Sequence, residues 1–409
     1  MEEKFCINEK NKVKPPCKYF GKCGNCNFQN VDYPCQLLLK KEMVERELKP
    51  FLKEAKVEDC KGLFYPYKYR NKLILAFGNV NNELKVGFFK ENTKEIVDIE
   101  ECLMHESWAT KLIYILRNYV KKFKIETYDI DEKWGNIRYA VARFFDGFLM
   151  LTIVSAQEKI FGLKWLFSEL KREFKQVSLY QNINDSDYSN VFGQRFIFID
   201  GQRKLLTSLS GIKLEIEPKV FIQTNTKIAS QIYCDIVTYV KNLKTNYIID
   251  AYSGIGITSL LFAKNGLKVT SVEIEKQSVY EARRLAKLNN LEIDCQCGDA
   301  KNLLPELTKK LPDATIFVDP PRNGLESAIE PIIVAKPKNL IYLSCSLDSL
   351  KQDLSKLIPL GYAINLVKPY DMFPHTNHVE TLVCLSLNPK KWFIYLVIKM
   401  SATWEHFYV

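Results

Sequence analysis

The feature that most constrains the fold is a regular alternation of short apolar runs and amphipathic segments in the second half of the chain. Each of the first two apolar runs precedes a helical pattern: NYIIDAY precedes ITSLLFAKNG, and KVTSVEIE precedes SVYEARRLAKLNN. Two further runs follow, TIFVDPP and LIYLSCS. Alternating strands and helices are typical of a doubly wound sheet whose strands are mostly parallel. The sequence therefore predicts an α/β domain over residues 213–409.

The middle of the chain has a different texture. Residues 61–212 contain short β-like runs separated by turn residues, such as KLILAFGNVNNELKVGFFK and IRYAVARFFDGFLMLTIVS. This pattern predicts a mainly antiparallel β domain with one or two helices. At the other end of the α/β region, the aromatic tail over residues 390–409 has no predicted role.

The first region, residues 1–60, combines a Cys/Gly cluster with a helical segment. The apolar residues predicted to share one face of that helix are Leu37, Leu38, Val44 and Leu48. We expect Pro50 to end the helix, because proline removes a backbone donor. The chain is thus divided into a Cys-rich segment, a β domain and an α/β domain.

Composition narrows the class of protein. The net charge of +10, from 58 basic and 48 acidic residues, suits a polyanionic partner such as nucleic acid. The sequence MEEKFCINEKNK at the N-terminus has no apolar core of a secretory signal, and no apolar run is long enough to span a membrane. We therefore expect a cytoplasmic protein with reduced thiols, so its 12 cysteines need another explanation.

A glycine-containing turn between a strand and a helix predicts a cofactor site. Gly254 and Gly256 let the backbone turn tightly and approach a ligand at the helix N-terminus. Glu273, 19 positions after Gly254, and Asp299 are predicted at the ends of the next two strands, where carboxylates can accept hydrogen bonds from a nucleoside. S-adenosylmethionine and dinucleotides both use this geometry, but a dinucleotide loop expects a third glycine where Ser259 stands.

Two neighbouring strands then end on reactive side chains. Asp319, in IFVDPPR, and Cys345, in LIYLSCS, follow consecutive predicted strands, and Glu380 begins the last one. Chemistry in an open parallel sheet collects beyond the carboxyl ends of such strands. A thiol and carboxylates beside a methyl donor suit methylation at C5 of a pyrimidine, because a thiolate added at C6 makes C5 nucleophilic and later leaves.

The Cys/Gly cluster predicts a metal site. Cys17, Cys23 and Cys26 form a C-x5-C-x2-C run in a turn-rich stretch, and they need a fourth ligand. Spacing alone does not decide whether the site holds zinc or an iron–sulfur cluster. It also does not decide whether the fourth ligand is Cys35 or Cys102.

The motifs DPPRNGL, LSC, DMFPHTNHVE and FIQTN together resemble those of the RNA (uracil-5-)-methyltransferases, over residues 17–387. The resemblance implies a Rossmann-like class I methyltransferase domain with a mostly parallel seven-stranded sheet. It implies that Cys345 is the nucleophile, that Glu380 takes the C5 proton, and that S-adenosylmethionine is the donor. The residues it implies as contacts to donor or uracil are Gln223, Tyr252, Gly254, Gly256, Ile257, Glu273, Asp299 and Asp319.

The cysteines resemble those of the ribosomal RNA branch of this family. That branch carries a [4Fe-4S] cluster, with the fourth ligand at the position of Cys102. The resemblance implies 23S ribosomal RNA as substrate. We expect a monomer, and the sequence indicates no particular protein partner. Only sixteen residues precede Cys17, so we expect the N-terminal RNA-binding β-barrel of related enzymes, the TRAM domain, to be absent. The family usually has Asn-Pro after its cysteine, whereas this chain has Ser346 and Leu347.

Basic residues of the central domain are candidates to hold RNA phosphates: Arg70, Lys72, Arg138 and Arg143. Three other functions stay open. They are the same reaction on transfer RNA, an iron–sulfur RNA-binding protein with an impaired methyltransferase domain, and an amino-methyltransferase acting on adenine or glutamine. The last would also use a Pro-Pro loop, but it has no need of Cys345.

Overall fold

The computed structural model describes residues 11–186 and 190–388, which form two seven-stranded sheets and a two-stranded hairpin. The tail over residues 390–409 lies outside the described residues. The helices of the described chain are α1 (Tyr33–Leu52), α2 (Ser107–Lys122), α3 (Leu163–Glu173), α4 (Thr226–Asn242), α5 (Ile257–Lys264), α6 (Lys276–Asn289), α7 (Ala300–Lys310), α8 (Ile329–Ala335) and α9 (Leu347–Leu357).

The strands of the first sheet are β1 (Lys72–Val80), β2 (Glu83–Phe89), β3 (Ile96–Asp98), β4 (Ile137–Phe145), β5 (Phe148–Ser155), β6 (Gln176–Ile183) and β7 (Arg195–Gly201). The hairpin consists of β8 (Leu205–Leu209) and β9 (Ile212–Ile216). The strands of the second sheet are β10 (Tyr247–Ala251), β11 (Lys268–Glu273), β12 (Asp294–Cys297), β13 (Thr315–Val318), β14 (Asn339–Ser344), β15 (Tyr362–Tyr370) and β16 (Glu380–Leu387).

The first sheet has the order β3-β2-β1-β4-β5-β6-β7 and is antiparallel except where β6 pairs with β5. A two-residue turn joins β1 to β2, and both of its residues, Asn81 and Asn82, have positive φ, as asparagine tolerates in tight hairpins. Helices α2 and α3 pack apolar residues against one face of the sheet. The prediction of a mainly antiparallel domain with one or two helices is confirmed.

The second sheet has the order β12-β11-β10-β13-β14-β16-β15. Neighbouring strands from β12 to β14 are parallel, and β16 runs antiparallel to β14 and β15. Helices α4 to α6 pack on one face, and α7 to α9 pack on the other. The predicted mostly parallel seven-stranded sheet is confirmed, and its carboxyl edge brings the ends of β10, β11, β13 and β14 together.

Helix α1 packs on the second sheet, although it belongs to the Cys-rich part of the chain. Its buried Val44 and Leu48 join the core formed by α7 to α9. The prediction that Pro50 ends the helix is wrong, because the last turn continues to Leu52 and the chain leaves the helix at Lys53, where φ is +48°. Leu38 was also placed on the wrong face, since its side chain is half exposed.

Candidate functional site

The glycine turn after β10 is shaped for the close approach of a ligand. Gly254 and Gly256 have φ of +54° and +78°, in the left-handed region that favours glycine. The Glu273 carboxylate, at the end of β11, accepts hydrogen bonds from the backbone N–H groups of Gly254 and Glu275, both at 2.9 Å. These bonds fix a negative charge beside the turn, where a nucleoside would bind.

Asp250 is a residue of this turn that the sequence reasoning missed. Its carboxylate is buried in β10 and accepts hydrogen bonds from the hydroxyl groups of Thr258 and Ser259. Burial raises the pKa of Asp250 to about 6. A carboxylate inside the apolar run YIIDA was a visible signal, and its bond to Ser259 explains why a serine stands where a dinucleotide loop expects glycine.

Three of the other predicted donor contacts, Tyr252, Ile257 and Asp299, lie around the same edge of the sheet, and the structure places Gln223 beside Asn71. Tyr252 follows β10 in a left-handed conformation with φ of +64°. Asp299 caps α7 by accepting a hydrogen bond from the N–H of Lys301, which is the structural role expected of a helix-capping acid. Ile257 is buried at the start of α5, and the backbone carbonyl of Gln223 accepts a hydrogen bond from Asn71.

Cys345 lies directly after β14 and opens into a pocket of about 310 Å³. The pocket is lined by residues from four separate parts of the chain: Met43, Arg46, Glu47, Arg322, Cys345, Ser346, Leu347, Asp348, Asn377, His378 and Val379. No sequence pattern predicted that α1 forms one wall of this pocket. Arg322 was visible in the DPPR motif, but its position beside the thiol was not predicted.

Charged neighbours and burial set the ionisation of the pocket. Burial, together with the nearby Glu380 and Asp319 carboxylates, raises the pKa of the Cys345 thiol, and Arg322 opposes that rise. Burial also raises the pKa of Glu380 to about 7, again opposed by Arg322. The pKa of Asp319 is well above its ordinary value because of burial and the charges of Glu380 and Asp250. The structure therefore brings Cys345, Glu380 and Asp319 together, and it holds the thiol more neutral than an exposed cysteine.

Ser346, the first departure from the family motif, caps α9. Its side chain accepts a hydrogen bond from the N–H of Ser349, and its carbonyl accepts one from the hydroxyl of Ser344. The turn after Cys345 is thus fixed by hydrogen bonds instead of by a proline ring.

A second groove, of about 590 Å³, shares Arg322, Asn377 and His378 with the catalytic pocket. It extends to the backbone beside the cysteine cluster and contains the cationic side chains of Arg70 and Lys72. The two cavities form a path between the cysteine cluster and Cys345, and the cationic side chains along it include Arg70, Lys72 and Arg322.

The four basic residues that were predicted to hold RNA phosphates differ in whether their side chains can reach RNA. The Arg138 guanidinium is buried and donates hydrogen bonds to the carbonyls of Asn184 and Ser186, so it is a structural residue. Arg143 is also buried, and it pairs in register with Lys72 across β1 and β4. Burial and the charge of Arg143 lower the pKa of Lys72 to about 8. Lys72 and Arg70, which line the groove, remain the candidates for phosphate contact.

The predicted cluster cysteines converge. Cys17, Cys23, Cys26 and Cys102 line one small cavity of about 20 Å³ with aromatic walls, whereas Cys35 lies in α1 beside Val31 and Leu39. Burial raises the pKa of Cys102 to about 12. Within the part of the chain that the structure describes, no three Cys, His, Asp or Glu side chains are arranged as ligands of a metal ion. The donor types suit a metal or cluster, but the ligand geometry is not formed.

The strand order of the second sheet, the glycine turn after β10 and the carboxylate ending β11 define a class I methyltransferase. Residues 307–388 match the family model described as tRNA (Uracil-5-)-methyltransferase, and residues 245–329 match that described as RNA cap guanine-N2 methyltransferase. The match to the uracil-5 model covers Asp319, Cys345 and Glu380.

Full-length relatives extend the match to nearly the whole chain. An uncharacterized RNA methyltransferase of Clostridium tetani is 32% identical over 92% of this chain and 83% of its own length. Another, of Listeria innocua, is 33% identical over 92% of this chain and 84% of its own length. The chain therefore belongs to the RNA methyltransferase family of the uracil-5 type, and its methyl donor is S-adenosylmethionine.

A solved structure with the same architecture is that of Pyrococcus abyssi tRNA (uracil-54, C5)-methyltransferase in complex with S-adenosyl-L-homocysteine. It aligns with a TM-score of 0.73 and 26% sequence identity, over 92% of this chain and 86% of that one. Separately, no helix over residues 11–186 and 190–388 is both long and apolar enough to cross a lipid bilayer.

Proposed function

We propose that the protein transfers a methyl group from S-adenosylmethionine to C5 of a uridine in 23S ribosomal RNA through a covalent adduct between Cys345 and C6 of the uracil. The observation that carries this proposal is the convergence of Cys345, Glu380 and Asp319 at the carboxyl edge of the second sheet, beside the donor turn. An amino-methyltransferase would need neither the thiol nor a second acid next to it.

The reaction proceeds in two covalent steps. The Cys345 thiolate adds to C6, and the resulting enolate displaces the methyl group from the donor sulfonium through C5. Glu380 then accepts the C5 proton, the C5–C6 double bond re-forms, and the electron pair of the Sγ–C6 bond returns to sulfur. The Asp319 carboxyl group, whose charge acts on both Cys345 and Glu380, is the candidate to hold the uracil ring by a hydrogen bond.

The ionisation of the pocket suits this order of events. Arg322 favours the thiolate, while the charges of Glu380 and Asp319 oppose it. The thiolate therefore forms most readily while Glu380 holds its proton, and Glu380 must lose that proton before it can accept the one from C5. A carboxyl group with a pKa of about 7 exists in both forms near neutral pH, which is the range such a base requires.

Binding of RNA to the groove would place a single nucleotide in the pocket. A stacked uracil cannot present C5 and C6 to a thiol and a donor, so the target nucleotide must leave the stack. Lys72, Arg70 and Arg322 line the groove that leads to Cys345 and can neutralise phosphates on either side of that nucleotide.

Cys17, Cys23, Cys26 and Cys102 would hold a [4Fe-4S] cluster. The support is that these four thiols, but not Cys35, line one cavity; the cavity of about 20 Å³ must widen to admit the group. A cluster bound there would supply a rigid cross-link between the N-terminal segment and the β domain, and methyl transfer itself needs no redox step.

Transfer RNA is the second candidate substrate. It is favoured by the likeness of 92% of this chain to the Pyrococcus abyssi enzyme, which is a transfer RNA (uracil-54, C5)-methyltransferase. The resemblance of the four cysteines to those of the ribosomal branch favours 23S RNA as the first candidate.

One experiment tests the reaction and the substrate together. The protein is incubated with labelled S-adenosylmethionine and either unmodified 23S RNA or transfer RNA, and the methylated nucleotide is mapped by mass spectrometry. We expect 5-methyluridine at one position of 23S RNA. RNA that contains 5-fluorouracil, which has no C5 proton to lose, should trap a covalent adduct that Cys345→Ala abolishes. Cys234→Ala, which removes an exposed thiol on α4, is the matched control. Label on adenine, or an unchanged adduct in Cys345→Ala, would contradict the proposal.

A further inference from the structure

The loop between β15 and β16, residues 371–379, is part of the catalytic pocket. Asn377, His378 and Val379 line the pocket together with Cys345. The loop ends at Glu380, whose backbone pairs with Tyr370 in the last register position of the ladder. This pair lies at the mouth of the loop, so any displacement of the loop reaches Glu380 first.

Helix α1 holds the beginning of this loop. The ammonium group of Lys40 forms an ion pair with Asp371, and both side chains are fully buried. Lys40 also donates to the carbonyl of Phe373 at 3.3 Å, and the Tyr33 hydroxyl donates to the second carboxylate oxygen of Asp371 at 2.8 Å. A buried, paired lysine fixes position strongly, because moving either charge away would leave the other uncompensated.

The middle of the loop is held by α1 and by the residues that directly follow Cys26. His375 has a φ of +67°, a conformation that a non-glycine residue keeps only when its surroundings impose it. Its N–H donates to the side-chain oxygen of Gln36 at 3.0 Å, and its carbonyl accepts from the N–H groups of Asn27 and Phe28, both at 3.0 Å. The Tyr67 ring stacks on the imidazole at a centroid distance of 4.5 Å.

These bonds are unusual because they come from residues more than 300 positions away along the chain. Gln36 also donates to the carbonyls of Phe28 and Val31, so the helix and the segment before it form one hydrogen-bonded unit. The unit is anchored next to the cysteine cavity at one end and to the catalytic loop at the other.

We propose that residues 27–40 act as a clamp on the catalytic loop, and that Lys40 and Gln36 are positioning residues for Glu380. Neither side chain lines the catalytic pocket, so both act through the loop. The inference rests on the proposed function, because the step it affects is removal of the C5 proton. It also gives the Cys-rich segment a role in catalysis through mechanical support of the loop.

A displaced base has a specific chemical consequence. The Sγ–C6 bond and the methyl transfer precede the step that needs Glu380, so a displaced Glu380 prevents neither of them. The C5 proton then stays in place, and the Sγ–C6 bond cannot break. The methylated RNA therefore remains linked to Cys345, which a general loss of stability would not produce.

The test uses Lys40→Met in the full-length protein with ordinary RNA substrate, and Lys41→Met as the matched control. Lys41 is the next residue of α1 and pairs with Asp59, whose side chain is almost fully exposed. We expect Lys40→Met to lower kcat by between about tenfold and about a hundredfold, as for other small misplacements of a catalytic group. KM for RNA should change by less than about twofold, within the range of surface effects on binding. A protein–RNA adduct should accumulate on denaturing gels, as in Glu380→Gln, and Lys41→Met should behave as the unaltered protein.

Gln36→Leu extends the test if Lys40→Met does not fold, because it keeps the buried charges and removes only the bonds to His375 and the segment before α1. Turnover at the unaltered rate would overturn the clamp. An equal loss of methylation and of adduct in these variants would also overturn the clamp, because it would indicate only a structural role for the two side chains. If the unaltered protein itself neither methylates RNA nor forms the fluorouracil adduct, the proposed function fails instead.

Discussion

Replacing Glu380 by glutamine should stabilise the folded protein at pH 8 while it stops turnover. The carboxyl group is buried, with 8% of the residue exposed, and burial raises its pKa from 4.5 to about 7. A carboxyl group whose pKa is higher in the folded state binds its proton more tightly there, so the free energy of unfolding falls as the pH rises from about 4.5 to about 7.

The size of the effect follows from the two pKa values. At about 1.4 kcal/mol for each pH unit, the ionised carboxylate lowers the free energy of unfolding by about 3 kcal/mol at pH 8, and by only about 1 kcal/mol at pH 5. Glutamine has nearly the same shape and no charge, so Glu380→Gln removes this loss. The difference in free energy of unfolding between the variant and the unaltered protein should therefore be about 2 kcal/mol more favourable to the variant at pH 8 than at pH 5.

Urea unfolding at both pH values measures this difference, and comparing the two values cancels any effect of the amide that does not depend on pH. Glu292→Gln, at an exposed position, is the matched control and should shift both curves equally. In the methylation assay, Glu380→Gln should accumulate the methylated adduct instead of free product. A stability difference that is the same at pH 5 and pH 8, or one that decreases at pH 8, would refute the assignment of a buried, ionisable base at this position.

Two further outcomes are expected. Ser346→Ala should lower the free energy of unfolding by about 1 kcal/mol, because it removes the cap of α9, and should slow adduct formation with fluorouracil RNA. Ser346→Asn keeps a capping oxygen and should retain the stability and the rate of the unaltered protein. If Ser346→Ala is as stable in urea as the unaltered protein, the cap is unimportant. Cys102→Ser should abolish the iron content and visible absorption of anaerobically purified protein, whereas Cys35→Ser should leave both unchanged. Loss of iron in Cys35→Ser but not in Cys102→Ser, or an unaltered protein that is colourless and contains zinc, would contradict the cluster assignment.

The sequence predicted the fold of the α/β half of the molecule well because its signals are local. The glycine turn, the carboxylate of Glu273 and the side chains that follow β13 and β14 each lie directly after an apolar run. In a parallel sheet, neighbouring strand ends share one edge, so order along the chain was enough to bring Asp319 and Cys345 together. The end of α1 was predicted wrongly by two residues, because the helix continues through Pro50 to Leu52 although proline removes one backbone donor.

By itself, the sequence determined the class of the two domains, the identity of the reactive groups and their order, since periodicity and turn chemistry act over a few residues. The tertiary structure alone decided the partners of those groups. Nothing in the local pattern of α1 indicates that Lys40 pairs with Asp371, or that Met43 lines the pocket of Cys345, because these residues lie some 300 positions apart along the chain. The tertiary structure also decided the ionisation of Glu380. Burial in the assembled core raises its pKa to about 7, and Arg322 opposes that rise. The sequence motif around Glu380 contains neither the burial nor Arg322.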